Sequence, residues 1–291
     1  MKRIAMAGNW SRRKGQKDVQ PALQKYRRYL EDRMLAASTI ESYLNRVKLF
    51  LLWAETDTPS TRKFESYREV LRLRNKLSSY NNSCWAIKHY YMMIGQEVSF
   101  SCVKPKNTIP YWFDEMDILK IFSVIGNIKH YAMFHISFFA SLRASEVCDL
   151  DLEDIDLQNL SVRVKCGKGR KPALLYINDE CARALRQYLT IRQDVIIDNR
   201  KPLFITDYSK RYDHRSLYRI FMYYKKLACI EKKGALHVFS RHSFGSLLIK
   251  RGCDILTTKE LMRHNDVHTT MRYLHVSDET KREKYRQYLT L

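Results

Sequence analysis

With 291 residues the chain has room for two domains, and 52 lysines and arginines against 31 acidic residues leave a formal charge of +21. Self-repulsion on that scale opposes a compact state unless a polyanion answers it, and nucleic acid is the commonest one. A membrane or export role is excluded on the residues. Positions 1–15 lack the apolar run of a signal peptide, and the most apolar stretch, 131–142, is short and interrupted by His135 and two serines. The seven cysteines are scattered and form no C-x-x-C pair, so neither a disulfide framework nor a zinc site is signalled and a reducing cytosol suits them.

In chain order, residues 1–17 hold Lys2, Arg3, Arg12, Arg13, Lys14 and Lys17 without apolar periodicity, the composition of a flexible basic tail. Residues 18–102 have a helical pattern throughout. Its clearest face is Ile40, Tyr43, Leu44, Val47, Phe50, Leu51 and Ala54, preceded by Ser38 and Glu41 at capping-box spacing. Weaker faces over 23–30, 64–77 and 85–94 complete a bundle of four helices. Residues 103–110, with Pro105 and Pro110, read as a linker.

The second domain, 111–291, opens with expected helices over 114–124 and 128–142. Short strands are expected at 155–157, 160–164 and 174–177, the last two joined by a glycine-rich turn, 166–170, that carries Lys168. Helices follow over 179–191, 213–229, 239–251 and 255–263, the third stopped by Gly252. The fold class expected is mainly α with one small antiparallel β-sheet.

Three clusters carry chemistry: Ser141-Leu-Arg143-Ala-Ser-Glu146, then His237-Val-Phe-Ser-Arg241-His-Ser-Phe-Gly245, and lastly Leu261-Met-Arg-His264 through Arg272-Tyr273-Leu-His-Val276. Each alone has an ordinary reading. Arg143 and Glu146 could pair on one helix, Lys168 could be a solvated loop lysine, and Tyr273 is one of 19 tyrosines. His264 and His268 are spaced like a metal pair but have no third ligand or accompanying glutamate, so no metal is expected. The remaining histidines, His89, His130, His135, His214, His242 and His275, are read as structural.

Taken together and in this order, the clusters and the Lys168 hairpin resemble the tyrosine recombinase (phage integrase) family, nearest its Xer-type members in size and layout. The resemblance covers nearly the whole chain. It implies a helical core-binding (SAM-like) domain followed by a mixed α/β catalytic domain. It makes Arg143 and Arg241 phosphate clamps, Lys168 the hairpin lysine, His264 the histidine before the nucleophile and Tyr273 the nucleophile, with Glu146 supporting Arg143. His237 is the candidate for the second histidine. Here the chain departs from the family pattern of His-x-x-Arg, because His237 lies four residues before Arg241 and Val238 occupies the expected place. The extra residue is expected to be taken up as loop, with the helix starting at or after Val238.

The chemistry calls for these residue types. A phosphodiester under attack gains charge, which arginine's planar, permanently charged fork can hold at two oxygens. Tyrosine ionises near pH 10 and needs help to become a nucleophile, and the leaving 5′-oxygen needs an acid such as Lys168. Neither metal nor ATP is called for, because the arginines supply the charge and a phosphotyrosine conserves the bond energy. The resemblance further implies cleavage through a 3′-phosphotyrosine, four protomers on two sites in double-stranded DNA, and a tail, 277–291, that packs on a neighbouring subunit. The setting implied is the cytoplasm, on the nucleoid. A type IB topoisomerase shares much of this chemistry, and a DNA-binding protein without catalysis shares the charge. The four motif residues Arg143, Arg241, His264 and Tyr273 argue against the latter.

Overall fold

The structure, a computed structural model, describes residues 18–74, 77–103, 111–165 and 172–274, with 282, 285–287 and 289. The basic tail, most of the linker, the Lys168 turn and most of the C-terminal tail lie outside the described residues. The chain divides into two compact units, Met1–Asn107 and Thr108–Leu291.

The first unit is built from α1 (Gln20–Glu31), α2 (Ala37–Ala54), α3 (Thr61–Arg74) and α4 (Leu77–Met93). The apolar face expected on α2 is the one it buries, with Ile40, Leu44, Val47, Phe50, Leu51 and Ala54 all inside. Its start differs from expectation. Ala36 is the N-cap and no side chain caps the helix; Glu41 instead pairs with Arg27 at 2.7 Å. The core is rich in tyrosine, and three of the buried hydroxyls find a backbone carbonyl: Tyr26 donates to Ala86 at 2.6 Å, Tyr90 to Asp57 at 2.6 Å and Tyr91 to Ser60 at 2.8 Å.

The second unit begins with α5 (Glu115–Ser123), capped reciprocally by Asp114 and Asp117, and α6 (Ile128–Phe139), capped by Asn127. α6 stops three residues earlier than the apolar pattern suggests. Ser141 turns left-handed at φ +48°, and the Leu142 amide bonds back to the Ser137 carbonyl at 2.9 Å, the signature of a Schellman ending. That reversal delivers Arg143 to the start of α7 (Ala144–Asp149), a short helix the pattern did not reveal.

β1 (Ile155–Asp156), β2 (Ser161–Val164) and β3 (Ala173–Tyr176) form an antiparallel sheet in that order, with Val162 opposite Leu175 on the buried face. α8 (Asp179–Ile191) and α9 (His214–Leu227) follow, then a segment in three parts. A helix opens at Leu236 and widens into a π turn over Val238–Ser243. It then returns to α geometry as α10 (Phe244–Lys250). α11 (Ile255–Met262) and α12 (Val267–Met271) follow. Phe113, Phe134, Phe204, Phe221 and Phe239 anchor the core beneath the site.

Candidate active site

The π turn corrects the expectation for His237. The helix begins before Val238, and His237 already has helical torsions, φ −64° and ψ −35°. The extra residue between His237 and Arg241 is absorbed inside the helix by i→i+5 closure, not in the preceding loop. Gly234, at φ +136°, allows the tight entry; a Cβ there would stand 2.8 Å from the Val238 side chain. His237 is exposed, and its ring meets His242 edge-on at 4.9 Å. Desolvation and the nearby charges of Arg241 and Arg143 hold it below the usual imidazole value.

Arg241 comes off the π turn almost completely buried, at 2% exposure. Its two terminal nitrogens donate to the carbonyls of Ser141, at 2.7 Å, and Met262, at 2.6 Å. Both carbonyls lie at C-terminal helix ends, where the backbone dipoles favour a cation. Burial, then Arg143 and Arg263, push its ionisation down to about 10, so the group stays charged at neutral pH under evident repulsion.

Arg143 is held by Glu146, which accepts from the Arg143 amide at 2.8 Å and from its guanidinium at 2.8 Å. Glu146 is buried and takes a second arginine, Arg263, at 2.7 and 3.1 Å. Burial raises its carboxyl, but the bonds from Arg263 and Arg143 outweigh that and keep it ionised below the ordinary value. Two guanidinium groups thus share one carboxylate with a third, Arg241, near enough to feel their charge, leaving a net positive pocket suited to an anion.

Tyr273 follows α12 and is 4% exposed. Its hydroxyl lies 2.8 Å from Nδ1 of His242. The His264 ring stacks against it, 6.3 Å between centroids and 16° from parallel, while Nδ1 of His264 bonds the Thr270 hydroxyl at 2.9 Å. Burial, Arg241, Arg143 and the neighbouring histidines bring His264 down to about 4. Gly245 makes room for this packing, since a Cβ there would lie 2.5 Å from Met262 Sδ and 3.0 Å from the Tyr273 ring.

Of the residues singled out from the sequence, Arg143, Glu146, His237, Arg241, His264 and Tyr273 are linked by these contacts and charge interactions into one cluster. Lys168 lies outside the described residues. Two members of the cluster were missed. The sequence pattern reads His242 as structural and gives Arg263, within the third motif, no role. A signal for His242 was present in its place directly after Arg241, but only the π turn shows where its ring goes. His268, by contrast, is exposed and turned to solvent.

The family model of the phage integrase family matches residues 112–280. Tyrosine recombinase XerA of Pyrococcus horikoshii is 29% identical over 268 residues, 90% of this chain and 91% of that protein. Tyrosine recombinase XerC of Thermodesulfovibrio yellowstonii is 32% identical over 186 residues, 60% of this chain and 61% of that protein. Among solved structures, the Tn1549 transposon integrase in complex with transposon right end DNA superposes with a TM-score of 0.72 at 17% identity, covering 92% of this chain and 99% of that one. The chain belongs to the phage integrase family. It is a tyrosine-type site-specific DNA recombinase, an enzyme that breaks and rejoins DNA strands.

Proposed function

We propose that Tyr273 is the nucleophile and that Arg143 and Arg241 hold the phosphate it attacks. The observation that carries this reading is the placement of a buried tyrosine beside His242 and His264 in a pocket with more guanidinium than carboxylate charge. Oη attacks phosphorus, a 3′-phosphotyrosine forms, and a 5′-hydroxyl leaves; the 5′-hydroxyl of a partner strand then reverses the step. The arginines stabilise charge as it develops, His264 presents a ring to the same centre, and Lys168 protonates the leaving oxygen.

The helical unit, 18–102, serves as the core-binding domain, joined by the linker 103–110 to the catalytic domain, 111–291. Both bind double-stranded DNA, which explains the charge of +21. The working assembly is a homotetramer on two DNA sites, and the tail, 277–291, packs on a neighbouring subunit; Tyr285 and Leu289 within it are exposed at 67% and 65%. The setting is the cytoplasm, and no described helix is long and apolar enough to cross a membrane.

The test is Tyr273→Phe on a nicked suicide substrate followed by denaturing electrophoresis. The variant retains the phosphate clamp and binds DNA, yet forms no covalent adduct. A persistent adduct would remove Tyr273 from the role.

A further inference from the structure

The hydroxyl of Tyr273 has one described hydrogen-bond partner, Nδ1 of His242. We propose that His242 is a catalytic residue, the general base that accepts the phenolic proton as Tyr273 Oη attacks phosphorus. The proposal rests on Tyr273 being the nucleophile.

The geometry follows from the π turn. On a regular α-helix, residues five apart are rotated by about 140° and point away from each other. Closure at i→i+5 brings His237 and His242 onto one side, with their rings 4.9 Å apart. The second ring is thereby aimed at Tyr273, 5.7 Å between centroids. His264, the other imidazole beside the phenol, stacks on it and has its Nδ1 engaged with Thr270. His242 is therefore the imidazole placed to take the proton.

Its protonation state is suitable. Burial, His237, Arg241 and Arg272 bring His242 down to about 4, so at neutral pH the ring is uncharged. With Nδ1 as acceptor the ring proton sits on Nε2, and the phenol donates. Burial raises Tyr273 while Arg241 and Arg272 oppose that, so the phenol is protonated and its proton needs a destination. A bound phosphodiester counters the charge of the arginines and lifts the imidazole toward its usual value, making acceptance easier once substrate is in place.

The step balances. The Oη–P bond forms, the P–O5′ bond breaks, the phenolic proton passes to His242 as imidazolium, and the 5′-oxygen takes a proton from Lys168. In rejoining, the imidazolium returns its proton to the departing phenolate.

The experiment measures single-turnover cleavage of a nicked suicide duplex by the full chain from pH 6 to 9. His242→Ala is expected to bind DNA normally and to form the same adduct at least ~100-fold more slowly at pH 7, the scale of general-base catalysis. Its rate should rise about tenfold per pH unit as hydroxide takes over from the missing base. A substrate with sulfur at the 5′-bridging position should rescue Lys168→Ala and leave His242→Ala slow. His242→Asn, which keeps a polar side chain in the core, should show the same alkaline rise if the alanine variant folds poorly. Cleavage within threefold of the parent, or a loss equal at every pH, would overturn the proposal. An adduct from Tyr273→Phe would instead overturn the nucleophile assignment beneath it.

Discussion

Glu146 and Arg263, 117 residues apart in sequence, form a paired contact in which both terminal nitrogens of Arg263 reach the carboxylate, at 2.7 and 3.1 Å. Arg263 sits at the end of α11 with φ +54°, a conformation that costs a non-glycine residue about 1 kcal/mol or more. The contact holds that residue in place. It also leaves Arg143 sharing its acid with a second cation, so the pair is less fully neutralised toward an incoming phosphate. The same contact fixes the segment leading into His264.

Glu146→Ala is expected to destabilise the catalytic domain by about 3 kcal/mol, because it leaves buried guanidinium charge unmatched. Arg263→Ala should cost less, since Arg143 still satisfies the carboxylate. A double-mutant cycle by urea denaturation should return a coupling of about 1–3 kcal/mol. Additive losses would mean that the contact is incidental. Arg263→Gly should be more stable than Arg263→Ala, by about the cost of the left-handed turn.

Lys168→Ala should slow cleavage on ordinary DNA and recover on a substrate with a 5′-bridging sulfur. A thiolate leaves without a proton, so an acid is no longer needed. Arg143→Ala should not recover, because its role is to hold charge on the non-bridging oxygens. Equal rescue of both variants, or of neither, would rule out the leaving-group role.

Much of this site was legible before folding, and its limits have physical causes. Arg143, Arg241, His264 and Tyr273 stood in the order of the family they resemble, the last two at its nine-residue spacing. The burial of α2 followed from its apolar spacing. The π turn was not legible, because hydrophobic periodicity in a six-residue segment cannot separate i→i+4 from i→i+5 closure. His242 was lost for that reason. Arg263 was missed because no periodicity announces a left-handed arginine at a helix end. The cap expected at Ser38 fails because the helix already starts at Ala37, which leaves Ser38 inside its first turn and Glu41 to pair with Arg27.

The crowding of Arg143, Arg241 and Arg263 predicts that anions stabilise the free protein. Burial depresses Arg241 most and repulsion from Arg143 and Arg263 adds to it; a sulfate or phosphate ion held between them relieves the second part. Stabilisation by a ligand of the native state grows as RT ln(1 + [L]/Kd), so the melting temperature should climb with sulfate concentration at fixed ionic strength. Arg241→Met should lose most of that dependence. An equal gain in the variant would assign the effect to general salting-out.

The last prediction concerns His135, which lies fully buried on α6 between Phe122 and Tyr131, each 4.1 Å away between ring centroids. Among the described residues neither ring nitrogen has a hydrogen-bond partner, and burial alone brings its ionisation from 6.5 down to about 4. Because the folded value lies below the unfolded one, the unfolded chain takes up a proton first as the pH drops. The stability tied to this residue is complete above pH 6.5 and is lost as the pH falls toward 4. At 1.36 kcal/mol per unit the loss reaches about 3 kcal/mol by pH 4. His135→Phe, an apolar ring among aromatic neighbours, should fold as well or better at pH 7.5 and lose much less on acidification. His242 and His264, also near 4, retain their own smaller share of the acid sensitivity because both are partly exposed. Urea denaturation at pH 7.5, 6, 5 and 4.5 measures the slope directly. A variant that loses stability as steeply as the parent would show that the acid sensitivity lies elsewhere.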